Sequence, residues 1–288
     1  MQAALERVVG EIVLGASPPS GDARALEAYV ERFGLDAANA ASLRQNLERL
    51  LVYRTLVRTR LREAIELAIP RTLARLGTLF DEYFDRFLAE RGPRTHYLRD
   101  VTSEWLDHAA PLWRADPRIP PYLHDLARHE ALEIVVASGA DVAPGTPTGE
   151  LALDRRLSFI EAACVVRYAF AVHTLPEELA DRSEPPSRAT ALFVYRSPEH
   201  DVRYLELTPL AAAILEQLLA GAALGEAVTF AARTAAVPLT PAVLEGTASL
   251  LADLADRGAL LGASKEEPLK PAREDSTMAL SRGEKDGP

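Results

Sequence analysis

Two short alternating segments, joined by a tight turn and followed at once by three helical patterns, constrain this chain more than any other feature. Ala191-Leu-Phe-Val-Tyr195 and Val202-Arg-Tyr-Leu-Glu-Leu207 have the spacing of strands and flank the turn-forming Ser197-Pro-Glu-His-Asp201. Helical spacing then recurs over Pro209–Ala220, Leu224–Ala235 and Pro241–Gly258, and Ala259-Leu-Leu261 can return as a short strand. A hairpin leading into three helices predicts a small winged-helix-like unit. Such units read either DNA or peptides.

Charge separates the two readings. Residues 151–262 contain no lysine and carry a net charge of −5, half of the −10 of the whole chain. Duplex DNA binding draws most of its affinity from neutralising phosphates with Lys and Arg. Leu224–Ala235 offers only Arg233 for that task, and 241–258 only Arg257. Nucleic acid is therefore not the expected partner. A peptide is a better fit, because the exposed edge of a small sheet accepts an extended chain by main-chain hydrogen bonds. The groove between that edge and Pro241–Gly258 gives the candidate peptide-binding residues: Val194, Tyr195, Val202, Arg203 and Tyr204 from the hairpin, and Val243, Leu244, Leu250, Leu251 and Leu254 from the helix. The competing possibility for the leucines is that they pack the small domain.

The first 140 residues read as all-helical. Apolar positions recur at helical spacing from Ala3 to Leu14, and Ser20-Gly-Asp-Ala precedes a second pattern that ends near Gly34. Ser42-Leu-Arg-Gln45 has the capping-box arrangement and predicts the start of a long helix. Its core stripe would be Leu50, Tyr53, Val57, Leu61, Ala64 and Ala68, and Pro70 should end or bend it. Further helices are expected over Leu79–Glu90, through Ser103-Glu-Trp-Leu106, and from Pro120-Pro121 to about Ser138. The fold class is thus α+β, with a helical domain over 1–140, a linker over 141–150, a winged-helix-like domain over 151–262 and a disordered tail over 263–288. Periodicity alone leaves Val165–His173 open between strand and helix.

Catalytic motifs are absent from the pattern: there is no glycine-rich phosphate loop, no zinc-spaced Cys pair and no serine-hydrolase elbow. His129 and Glu133 share a helix face, but two ligands are fewer than a catalytic metal usually takes. No catalytic residue, metal ligand or bound cofactor is expected. Cys164, the single cysteine, lies in an apolar run and reads as a buried thiol. Arg54, Arg58 and Arg62 form an i, i+4, i+8 stripe, which is either an ion-paired face or a surface for docking an acidic partner. No apolar run reaches membrane-span length and the N-terminus lacks a signal-peptide layout, so a cytoplasmic protein is the expectation.

Two blocks carry a family resemblance. Tyr53-Arg54, Pro70, Gly77, Phe80 and Tyr122-Leu-His-Asp-Leu-Ala-Arg-His-Glu130 resemble the helical domain of bacterial proteins labelled as DNA-binding, which accompany multinuclear non-heme iron oxidases. His129 departs from that pattern, which more often has an apolar residue there. Tyr204-Leu-Glu-Leu-Thr-Pro209, Ile214-Leu-Glu-Gln-Leu-Leu-Ala-Gly221 and Leu250–Leu261 are similar to the peptide-binding chaperone of pyrroloquinoline quinone biosynthesis, a recognition element for leaders of modified peptides. The resemblance implies a non-catalytic partner of such an oxidase that helps present a precursor-peptide leader, with the iron held by the oxidase.

Overall fold

A computed structural model describes residues 2–15, 23–139 and 151–263. The expected linker, and all but the first residue of the expected tail, lie outside these. The helical part comprises α1 (Gln2–Leu14), α2 (Ala23–Phe33), α3 (Ala37–Ala68), α4 (Pro70–Leu76), α5 (Leu79–Glu90), α6 (Leu98–Ala115) and α7 (Leu123–Ala137). It is followed by strands β1 (Leu157–Phe159) and β2 (Ala163–Tyr168), a 3-10 turn at Val172–Thr174, and the hairpin β3 (Thr190–Arg196) and β4 (Val202–Leu207). Helices α8 (Pro209–Leu219), α9 (Leu224–Thr234) and α10 (Pro241–Asp256) and strand β5 (Leu260–Ala263) complete it. The architecture is α+β, helical first and then a small mixed unit, as the patterning predicts.

Helix α3 begins earlier than its capping-box signature suggests. Asp36 is the N-cap, its Oδ1 accepting from the Asn39 amide at 2.8 Å, so Ser42 lies inside the helix. The short Asp side chain satisfies an orphan amide of the first turn. At the other end Pro70 takes the first position of α4, where its missing N–H costs nothing, and the chain breaks at Ile69. Two different cores grip α3. Leu43 and Leu47 pack with Val8, Ile12 and Leu26, whereas Leu61, Ile65 and Ala68 enter the main core around Phe87, Trp105 and Leu126. The middle of α3 is left partly uncovered. Tyr53, expected on the core stripe, is instead exposed beside Val52 and Leu56.

Strands β2, β3 and β4 form an antiparallel sheet in the order β2-β3-β4, and β1 pairs antiparallel with β5. Central β3 is buried from Thr190 to Tyr195. Its alternate side chains serve two cores: Leu192 and Val194 join the helical core with Val166 and Tyr168, whereas Ala191, Phe193 and Tyr195 join the core beneath α8, α9 and α10. The sheet is therefore the middle layer of a sandwich, with the helical part on one face and the three later helices on the other. The ambiguous 165–173 stretch resolves as the end of β2 and the 3-10 turn.

Acidic residues of α7 stitch the layers together. Asp125 Oδ2 accepts from the Ala169 and Phe170 amides at 2.7 and 3.2 Å, just beyond β2. Glu130 caps α4: its carboxylate accepts from the Arg71 and Thr72 amides at 2.8 and 2.9 Å and from Thr72 Oγ1 at 2.6 Å. Where α7 ends, Gly139 approaches β2 so closely that a Cβ there would lie 2.5 Å from Ala162 Cβ. Only glycine fits that contact without displacing backbone.

Candidate functional site

The antiparallel ladder determines what β4 offers to a partner. Arg196 N donates to Ala162 O on the β2 side, and Ser197 N donates to Asp201 O on the β4 side. Because hydrogen-bonded pairs alternate along such a ladder, Arg203, Leu205 and Leu207 bond to β3. The amides and carbonyls of Val202, Tyr204 and Glu206 then point outward, along an edge that no described strand covers. The opposite edge differs, since the Arg167 carbonyl of β2 already accepts from Arg128 Nη1 at 3.3 Å. Strand β4 is the open edge.

Side chains on the two faces of β4 meet different surroundings. Arg203, Leu205 and Leu207 lie on the α8–α10 side, where Leu205 is half-buried on the same core as Val243 and Leu250. Val202, Tyr204 and Glu206 lie on the helical side. The Tyr204 ring stands 4.9 Å from that of His129, whose Nδ1 is 3.4 Å from the Tyr168 hydroxyl. Burial holds the Tyr168 and Tyr204 phenols above their ordinary range. Glu206 pairs with Arg188 and with His173 Nε2 at 3.2 Å, and the Arg188 bond leads in lowering its carboxyl pKa.

His129 is buried and neutral. Burial first, then Arg71 and His173, lowers its pKa from 6.5 to about 4. The unfolded chain therefore takes up a proton that the folded one refuses. Its contribution is fully present above pH 6.5 and is lost as pH falls toward about 4. His129→Phe should flatten the stability profile across that window, as read by urea denaturation at stepped pH. An unchanged slope would place the titrating group elsewhere.

Several expected site residues sit elsewhere. Val194 and Tyr195 are buried on the central strand, and Leu251 and Leu254 are core residues beneath α10; none has surface for a peptide. The interior strand is a continuous apolar run whereas the edge strand carries Arg203 and Glu206, a difference that separates the two. Val243 and Leu250 are half-buried and Leu244 is exposed, and Val202, Arg203 and Tyr204 do lie on the edge strand.

The arginine stripe also turns inward. Arg54 Nη1 donates to the Ile12 and Val13 carbonyls at 2.8 and 3.3 Å, and Arg58 Nη1 to the Leu14 carbonyl at 3.0 Å, closing the C-terminal end of α1. Arg58 also pairs with Asp85, and Arg62 with Asp81 and Glu66. Arg62 stacks over Phe80 at 4.8 Å. These cations have intramolecular partners along the seam of α1, α3 and α5. Beside that seam runs an open groove of about 610 Å³, lined by Leu5, Val9, Val13, Tyr53, Val57 and Leu61 among others.

Sequence reasoning overlooked Arg71, Asp125, Glu130 and Tyr168. The signal was available for two of them, since Asp125 and Glu130 are carboxylates set among Leu123, Leu126, Ala127 and Ala131 on α7. Among the described residues, no group of three or more His, Cys, Asp or Glu is placed to hold a metal ion. No described helix is long and apolar enough to cross a membrane. Burial raises the pKa of the Cys164 thiol.

A family comparison matches residues 161–255, from just before β2 to the end of α10. The match is to the HvfC C-terminal domain. It spans the three-stranded sheet and all three later helices, about a third of the chain, so the HvfC-like stretch coincides with the unit that carries the β4 edge. This agrees in general terms with the oxidase-partner resemblance read from the residues. No curated protein matches the chain.

Proposed function

We propose that this chain is a non-catalytic partner subunit of a multinuclear non-heme iron oxidase, and that β4 receives the leader of a ribosomally made precursor peptide as an added strand. The open row of amides and carbonyls at Val202, Tyr204 and Glu206, set in an HvfC-like unit, carries the reading. An added strand would lay alternate side chains beside Tyr204 on one face and beside Arg203 and Leu205 on the other. The iron belongs to the oxidase, and this chain binds no cofactor of its own. The proposed compartment is the cytoplasm. The exposed Val52, Tyr53 and Leu56 and the adjoining groove support a protein contact on the helical part, because contiguous exposed apolar surface marks interaction sites. DNA binding gains no support from the helices: Arg233 lies over Phe230, and Arg257 bonds to Asp253 at 2.8 Å.

The test uses the parity of β4. Proline at an outward position removes a peptide-binding donor while the β3 ladder stays intact, and edge strands tolerate it. Val202→Pro should stay folded and lose binding of leader peptides from precursor genes beside the oxidase, by about tenfold or more, measured by fluorescence anisotropy. Binding retained by the folded variant would rule out strand addition at β4. The same purified protein, mixed with the neighbouring oxidase, should elute as a complex; separate elution would remove the partner role.

A further inference from the structure

On the reading that this chain is an oxidase partner, we propose that the cleft between α6 and α7 docks an amphipathic helix of the oxidase, apolar along one face and acidic at one end. The cleft measures about 550 Å³. Leu106 and Ala110 of α6, Leu132 and Val135 of α7 and Val166 of β2 give it an apolar floor. Val135 is 52% exposed, an apolar side chain left open to solvent. The connection 116–122 is short and the two helices pack together, so α7 folds back along α6. From His124 to Val135 the cleft follows α7 for about 16 Å, at 1.5 Å per residue, or about three turns of a docked helix. A hydrophobic groove of this kind seats the apolar face of an added helix.

Charge fixes the sign and the direction of the occupant. Arg114, near the end of α6, shares the turn end of the cleft with His124 and Arg128, near the start of α7. Burial first, then Arg128 and Arg114, lowers the His124 pKa, so at pH 7 the charge at this end comes from the two arginines. Arg114 is exposed and has no hydrogen bond or ion pair among the described residues. Arg128 donates to the Arg167 carbonyl at 3.3 Å, but its ion pair with Asp125 spans 4.0 Å. Asp125 itself already accepts from the Ala169 and Phe170 amides. Asp107 is the one carboxylate of the lining, and it stands about 10 Å before Arg114 along α6. A chain of net charge −10 thus keeps one free and one weakly paired cation at one end of an apolar groove. Glutamate or aspartate at the matching end of a partner helix would complete both. Val166 lies on β2, and the order β2-β3-β4 sets this cleft at the sheet edge opposite β4. The oxidase helix and the leader therefore take separate surfaces and bind together.

The test titrates the purified oxidase of the neighbouring gene into the full chain, by isothermal calorimetry at low and moderate salt. Arg114→Glu removes no intramolecular partner, and Val135→Asp changes an exposed side chain at the other end of the cleft. Each should weaken the complex by about tenfold or more, the first through like-charge repulsion and the second through a carboxylate set on the apolar floor. Arg233→Glu, an equal charge change at an exposed position of α9 on the other face of the sheet, should leave the affinity unchanged. Salt should weaken the wild-type complex more than that of Arg114→Glu. Leader binding, followed by anisotropy, should be the same in all four proteins. Equal oxidase affinity in wild type, Arg114→Glu and Val135→Asp would overturn the cleft while the partner reading stands. Loss of leader binding in Arg114→Glu would show that the cleft holds the leader, and would overturn the oxidase helix. If the wild-type chain does not bind the oxidase, the partner reading and this inference fall together.

Discussion

Glu130→Ala should lower the stability of the whole protein by about 3–5 kcal/mol, the usual cost of removing one member of a buried charged pair. Its carboxylate is buried and accepts from two amides of the first turn of α4, from Thr72 Oγ1 and from Arg71 Nε. Removing it leaves the Arg71 guanidinium half-buried with only distant carbonyls, and leaves the Arg71 and Thr72 amides without acceptors. Glu130→Gln keeps one acceptor oxygen and the side-chain volume, so it should recover part of the loss. Urea denaturation followed by circular dichroism measures both. A cost for Glu130→Ala below about 1 kcal/mol, the value of an ordinary hydrogen bond, would mean that the α4–α7 junction is held by packing alone.

Leu192→Ala and Phe193→Ala should each lower the same unfolding transition, by about 2–5 and 3–5 kcal/mol respectively. The two side chains are neighbours in sequence, both almost fully buried, yet they point into different cores. If the helical part and the α8–α10 part unfolded independently, each substitution would shift its own transition and leave the other in place. A shared central strand couples them. Differential scanning calorimetry should therefore show one endotherm moving down for both variants, at about 2–4 °C per kcal/mol for a chain of this size. Two separating peaks would show that β3 belongs energetically to one side only.

Much of this organisation can be read from local pattern. The turn Ser197–Asp201 between alternating segments locates the hairpin, and Pro209 and Pro241 sit at the first turns of the helices they open. Pro70 likewise marks the break after α3. What pattern conceals is the identity of neighbours distant in sequence. The stripe Arg54, Arg58 and Arg62 is visible, but its partners are the carbonyls ending α1 and the carboxylates of Asp81 and Asp85 on α5. The continuous apolar run Ala191–Tyr195 did carry a further message. A strand apolar on both faces is covered on both faces, so β3 had to be central and β4 the edge. Ser42 misleads for a different reason: a capping-box signature also occurs inside helices, and Asp36 supplies an equally good cap earlier in the chain.

The alternation of β3 and β4 limits how genes for such chains can change length. One residue added to or removed from either strand would carry the following side chains to the opposite face. Phe193 would be driven toward Trp105 and His129, Leu192 toward α8, and the outward amides of β4 would turn in toward β3. Length changes within these strands are thus confined to pairs of residues, whereas the turn around Ser197–Asp201, with His200 at φ 71°, can absorb single ones. Lengthened or shortened descendants should carry their odd insertions and deletions there.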